Sequence, residues 1–196
     1  MASSSRNVAL YFACQALVAS SASLLVAASA IVGAMLAPDP RLATLPAALQ
    51  QLATFATTYP ASQVMARIGR RAGFSLGALL GAFGGAAATL GIVRGSFGLF
   101  CAGTALIGGQ AGFATFYRFA AAESVAADRR ARALGWVMSA GVVAAVLGPQ
   151  LASRTRDLGS TAFAGSFAVL VVMALASLVL LQFLGAAGRP VAAGRR

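Results

Sequence analysis

The sequence predicts an all-α membrane protein with six transmembrane helices and both termini in the cytoplasm. Three observations predict it. Of its 196 residues, 59% are hydrophobic and only 10% charged, whereas soluble domains carry about 25% charged residues. The apolar residues fall in six runs, each near or above the ~20 residues that cross a bilayer as a helix. The charge sits in the breaks between runs, except for Arg118 near the end of the fourth. It comprises fifteen arginines, no lysine and four acids, Asp39, Glu123, Asp128 and Asp157.

The first run, residues 8–36, follows a short polar start ending in Arg6. It is far longer than the 7–15 residues of a signal-peptide core, so it is expected to stay as a tilted span. Pro38 and Pro40 stop it, because neither can continue the hydrogen-bond ladder. The second run, 42–65, carries Gln50, Gln51, Thr54, Thr57, Thr58 and Tyr59. Pro60 should kink it, with Thr57 or Thr58 bonding the freed carbonyl. The third run, 74–93, continues a stripe of Gly73, Gly77, Gly81 and Gly85 at intervals of four. Small residues at that spacing let another backbone approach closely, either inside the bundle or across a dimer face.

Arg94-Gly95 reads as a tight turn. The fourth run, 97–122, ends in Tyr117-Arg118-Phe119, and a hydrophilic connection from Glu123 to Arg132 follows. The fifth run, 134–153, has Trp136 at its interfacial end and Gly148-Pro149 near the other. The sixth, 161–184, is almost wholly apolar. Residues 1–186 thus form the six-helix bundle and 187–196 a basic cytoplasmic tail.

Orientation follows from the arginines. Arg6, Arg67, Arg70, Arg71, Arg129, Arg130, Arg132, Arg189, Arg195 and Arg196 lie on one side, against Arg41, Arg94, Arg154 and Arg156 on the other. Ten against four places the first group, with both termini, in the cytoplasm. The same placement accounts for the net charge of +11 through topology and lipid headgroups, so no nucleic-acid partner is expected. There is no histidine, and Cys14 and Cys101 both lie inside apolar runs. No metal site, cofactor or catalytic constellation can be assembled from such residues, which argues against an enzyme.

Two motifs carry a resemblance. The connection between the second and third runs, Ser62-Gln63-Val64-Met65-Ala66-Arg67-Ile68-Gly69-Arg70-Arg71, resembles the cytoplasmic loop signature G-x-x-x-D-R-x-G-R-R of the major facilitator superfamily. Arg67, Gly69, Arg70 and Arg71 match, whereas Ser62 and Ala66 replace the first Gly and the Asp. The fifth run is similar to that family's G-x8-G-x3-G-P-x2-G-G signature at Gly135, Gly148 and Pro149, with Ala144 for the middle Gly and Ala152-Ser153 for the last pair.

The resemblance implies the N-terminal half of such a transporter, built from two inverted three-helix repeats in a plasma membrane (a bacterial inner membrane). It implies alternating access for a small organic solute, with export favoured by the fifth-run signature, and a partner that is a second copy or another six-helix half. A non-transporting scaffold or assembly subunit, or a fragment of a longer transporter, are the other outcomes. The first and fourth helices would line the cavity, which points to Gln15, Ser20, Ser21, Ser23, Gln110 and Thr115. The same polar groups could instead hydrogen-bond between helices. Arg118 is open to two roles, a snorkelling or Glu123-paired cation and a contact for an anionic substrate group. A cytoplasmic gate would use Arg67, Gly69, Arg70 and Arg71 with Glu123 as the acid. Gly73, Gly77, Gly81, Gly85, Gly135, Gly148 and Pro149 would serve helix packing. No Asp, Glu or His lies inside a run, so a proton-coupling group would have to come from elsewhere.

Overall fold

The structure, a computed structural model, describes residues 2–158 and 161–184, with side chains from Ser5 onward. The basic tail lies outside the described residues. Seven α-helices account for most of the described residues: α1 Ala2–Leu36, α2 Leu45–Ile68, α3 Arg70–Val93, α4 Phe97–Ala114, α5 Tyr117–Glu123, α6 Arg130–Arg154 and α7 Ala164–Gln182. Among the described residues there is no strand.

Among the described residues, five stretches are long and apolar enough to cross a membrane: Ser5–Leu36, Arg70–Val93, Phe97–Glu123, Ala127–Arg154 and Ala164–Gln182. The expected second span, α2, has the length but not the hydropathy. Its polar groups explain the shortfall, and the fold turns several of them inward. Gln50 is buried, and Thr54 donates to the Gly108 carbonyl at 3.1 Å, while Leu52 and Phe55 face outward. The helix continues through Pro60. Thr58 does not rescue the carbonyl that Pro60 frees, since its hydroxyl bonds Thr54 instead, at 2.8 Å.

Glycines position the connections. Gly69, with φ 87° and ψ 160°, separates α2 from α3 in a conformation that a side chain disfavours. Gly95, with φ 64°, turns α3 into α4, whose first turn is capped by the Ser96 hydroxyl. At Pro38–Arg41 the Asp39 carboxylate accepts from the Arg41 amide at 2.8 Å, closing the turn after α1.

The expected fourth span is broken into α4 and α5. Thr115 donates its hydroxyl to the Gly112 carbonyl at 2.7 Å, and the Phe116 amide turns to Phe113 at 3.2 Å. A local side-chain bond has replaced one rung of the helix.

Helix packing is ordered by small residues. α3 lies between α4 and α7, α2 packs along α4, and α6 packs along α1. A Cβ on Gly77 would come within 2.7 Å of Phe113, and one on Gly85 within 3.0 Å of Val171. A Cβ on Gly81 would overlap the Gln110 amide. Gly73 packs on Met65. The stripe is therefore consumed within the chain, against α2, α4 and α7. On α6, a Cβ at Gly148 would stand 2.5 Å from Ser23 and 2.9 Å from the Leu24 amide. Gly135 meets nothing within 4 Å, and Pro149 is exposed, so neither packs a helix here.

Two apolar clusters close the bundle. One gathers Tyr11, Phe74 and Tyr117 near the α2–α3 junction, with the Phe74 and Tyr117 ring centroids 4.6 Å apart. The other holds Leu24, Leu25, Phe100 and Phe167, the last two crossing edge to face at 5.0 Å.

Candidate functional site

A cleft of about 310 Å³ opens between α1, α2, α4–α5 and α6. Its volume falls within the range of small-molecule sites. Gln15, Val18, Ala19 and Ala22 form the α1 wall, Thr54 belongs to α2, and Ala111, Ala114, Thr115 and Arg118 come from α4–α5. Val137, Met138 and Gly141 complete it from α6. Small side chains on α1 and α4 keep the space empty, and the polar groups are few, as expected of a site that orients a mostly apolar ligand.

The break between α4 and α5 aims two of these groups. Thr115 sits at the bend and Arg118 one turn beyond it. The guanidinium carbon of Arg118 lies 5.0 Å from the Phe119 ring centroid, a cation–π distance. Its buried Nε has no hydrogen-bond partner. No acid neutralises it: Glu123 pairs with Arg70 at 2.7 Å, Asp128 with Arg129 at 3.7 Å and Asp157 with Arg156 at 3.9 Å. Asp39 caps the turn after α1, beyond the other end of the bundle. A buried donor left unpaired is costly unless a ligand or water meets it.

The remaining predicted cavity residues go elsewhere. Ser21 bonds the Leu17 carbonyl at 2.9 Å and faces Met173 of α7 at 3.6 Å. Ser20 is buried without lining the cleft. Ser23 fills the α1–α6 seam against Gly148, and Gln110 is buried against Gly81 of α3. Serines on one helix project around its whole circumference at 100° per residue, so only those on the stripe shared with Gln15 could reach the cleft. Thr54, Met138 and Gly141 were absent from the sequence-derived set. Thr54 is one of several polar groups of the second run and nothing in the types of Met138 and Gly141 marks them; the packing of α2 on α4 and of α6 on α1 brings the three together.

At the end of the bundle that holds the α2–α3 junction, Arg70 Nη2 donates to Glu123 at 2.7 Å. Arg71 donates to Gln182 at 2.9 Å, and the amide of Gln182 reaches Ser75 at 3.3 Å. These contacts tie the start of α3 to α5 and α7. Neither Arg67 nor Gly69 has a side-chain partner among the described contacts; Gly69 contributes its backbone angle.

No protein-family model matches the chain. Over 181 residues, 90% of its length, it is 44% identical to the riboflavin transporter RfnT of Brucella anthropi. That match covers 46% of the relative, so the chain spans about half the length of the curated protein it resembles. With five helices able to cross a bilayer and a relative of this name, the chain is a multi-pass membrane protein similar to about half of a transporter.

Proposed function

We propose that the chain is one six-helix half of a major-facilitator-type transporter that moves riboflavin or a similar flat heteroaromatic solute by alternating access. The observation that carries this is the 44% identity to a riboflavin transporter along 90% of the chain. The cleft agrees with it. A flat heteroaromatic ring with carbonyl groups suits apolar walls, Gln15 and Thr115 as hydrogen-bonding groups, and the unpaired Arg118 as a charged donor to carbonyl oxygen.

α2 acts as the sixth span, with its polar side chains spent on α4 and its apolar ones turned outward. Six spans and the arginine bias put both termini in the cytoplasm. The packing supports inverted repeats. Exchanging the first three spans with the last three carries the α1–α6 pair onto α4–α2, and these two pairs are both extensive. The same exchange carries α3–α7 onto itself. In this arrangement the Arg70–Glu123 pair holds the cytoplasmic end of α3 against α5 and acts as the gate. Export as the direction rested on the fifth-run signature. It gains no support from Gly135, which packs against nothing.

The cleft is open on one side, and α2 and α6 expose Phe55, Tyr59, Met138 and Val142 beside it. A second six-helix half, or a second copy, covers this face and completes the site. The test is riboflavin flux in proteoliposomes, with the chain alone and with the other half of the relative. Flux in the second case, and its loss in Arg118→Ala, is the expected result. If neither preparation binds or moves riboflavin, the proposal fails. Loading substrate on either side of the vesicle then gives the direction.

A further inference from the structure

We propose that a second cavity, nearer the starts of α1 and α6 than the cleft, is a binding groove for an anionic phospholipid. It measures about 500 Å³ and runs between the start of α1 and the start of α6. Arg129 and Arg132 stand at its mouth, and Val8, Phe12, Ala133 and Trp136 line it. The inference does not rest on the transport activity proposed above.

The geometry has a direction. α1 and α6 run the same way, since Phe12 stacks edge to face on Trp136 at 6.1 Å and, further along, Ser23 meets Gly148. Arg129 and Arg132 are therefore at the membrane end. Trp136 lies about 6 Å deeper than Arg132 at 1.5 Å per residue. A phosphate at the guanidiniums leaves an acyl chain lying along Phe12 and Trp136.

Charge also favours such an occupant. Arg129, Arg130 and Arg132 face a single acid, Asp128, whose contact with Arg129 at 3.7 Å is exposed on both partners. The cluster keeps a net positive charge. A soluble anion would use that charge but gain nothing from the apolar lining, whereas a phospholipid uses both. Trp136 is 60% exposed, as suits an indole at the headgroup level. On α6, Trp136 and Met138 of the cleft are about 200° apart at 100° per residue. Trp136 thus points away from the part of the cleft that Met138 lines.

Trp136 is the only tryptophan of the chain, so its fluorescence reports on the groove. The whole protein is reconstituted in phosphatidylcholine nanodiscs doped with acyl-brominated phosphatidylglycerol or acyl-brominated phosphatidylcholine. Half-maximal quenching is expected at about fivefold lower mole fraction of the anionic lipid, the effect of one effective basic side chain near the surface. R129Q/R132Q should abolish the difference, and R129K/R132K should keep it. Equal quenching by the two lipids overturns the proposal, as does a difference that survives R129Q/R132Q. Where that variant does not fold, the wild-type preference must shrink as salt is raised and the Debye length falls. A preference indifferent to salt overturns it too.

Discussion

Gly108→Ala tests whether α2 lies on α4 as a membrane helix. A Cβ at 108 would stand 2.9 Å from the Gln50 carbonyl carbon and 3.0 Å from the Ala53 Cβ, and would overlap the Gln50 carbonyl oxygen. The opposing atoms are mostly backbone, so no rotamer change relieves the clash, and α2 must move off by about 1 Å at a cost near 1–3 kcal/mol. That shift stretches the Thr54 bond to the Gly108 carbonyl, now 3.1 Å, which is worth about 0.6 kcal/mol more. Alanine's better helix propensity returns about 0.5–1 kcal/mol. The net loss is about 1–3 kcal/mol, or roughly a 5- to 150-fold rise in the unfolding constant at 1.4 kcal/mol per decade. Titration with SDS in mixed micelles, followed by far-UV circular dichroism, measures it. Gly135→Ala is the matched control, because nothing lies within 4 Å of that Cβ, and it should be neutral or slightly stabilising. Equal stability of Gly108→Ala and wild type, or equal damage at 135, would refute the close approach of α2 to α4.

Gly69→Ala should destabilise the chain by about 1–3 kcal/mol through backbone strain alone, since φ is 87° and no atom crowds the Cβ; the same titration reads it. Under the proposed function, Arg118→Ala should weaken riboflavin binding about 10- to 150-fold, the worth of a charged hydrogen bond, with Arg118→Lys intermediate, measured by flavin fluorescence. Glu123→Gln removes an ion pair whose side chains are 43% and 59% exposed. Solvent screening limits its worth to about 1 kcal/mol, so opening of the proposed gate should rise by up to about fivefold. Alkylation of Thr115→Cys in a background lacking Cys14 and Cys101 would follow that opening, and an unchanged rate would sink the gate.

The helical class and most of the breaks between spans were legible because lipid makes both depend on composition. An apolar run must satisfy its backbone internally, and proline, glycine and charge end it. Gly69, Gly95 and Pro38–Arg41 were readable for that reason. The break at Thr115 was not, since a threonine can bond a carbonyl three residues back in any helix, and only here does the Phe116 amide give way. The cavity set was half legible. Choosing polar residues on the first and fourth spans found Gln15, Thr115 and Arg118, but it could not separate them from Ser21, Ser23 and Gln110. Those three are equally polar and face α7, α6 and α3. What sorts them is the rotation of each helix, which the nearly all-apolar sequence does not encode as amphipathicity. In water the polar face would mark the outside, whereas in lipid both faces are apolar and small residues mark the seams.

The short helix α5 joins the two features that the sequence left separate. Its seven residues begin beside Arg118 and end at Glu123. Arg118 and Glu123 are five residues apart, so they project about 140° away from each other and cannot share one ion pair without unwinding the helix. Glu123 therefore goes to Arg70, and Arg118 is left in the cleft with its Nε unpaired. With only four acids in the chain, no other carboxylate is positioned to quench it. The scarcity of acids and the turn of one helix are together what leave a charged donor available to a ligand. In the proposed transporter, a movement of α5 that parts Glu123 from Arg70 also displaces Arg118, so opening that end and releasing the ligand are coupled through one short helix.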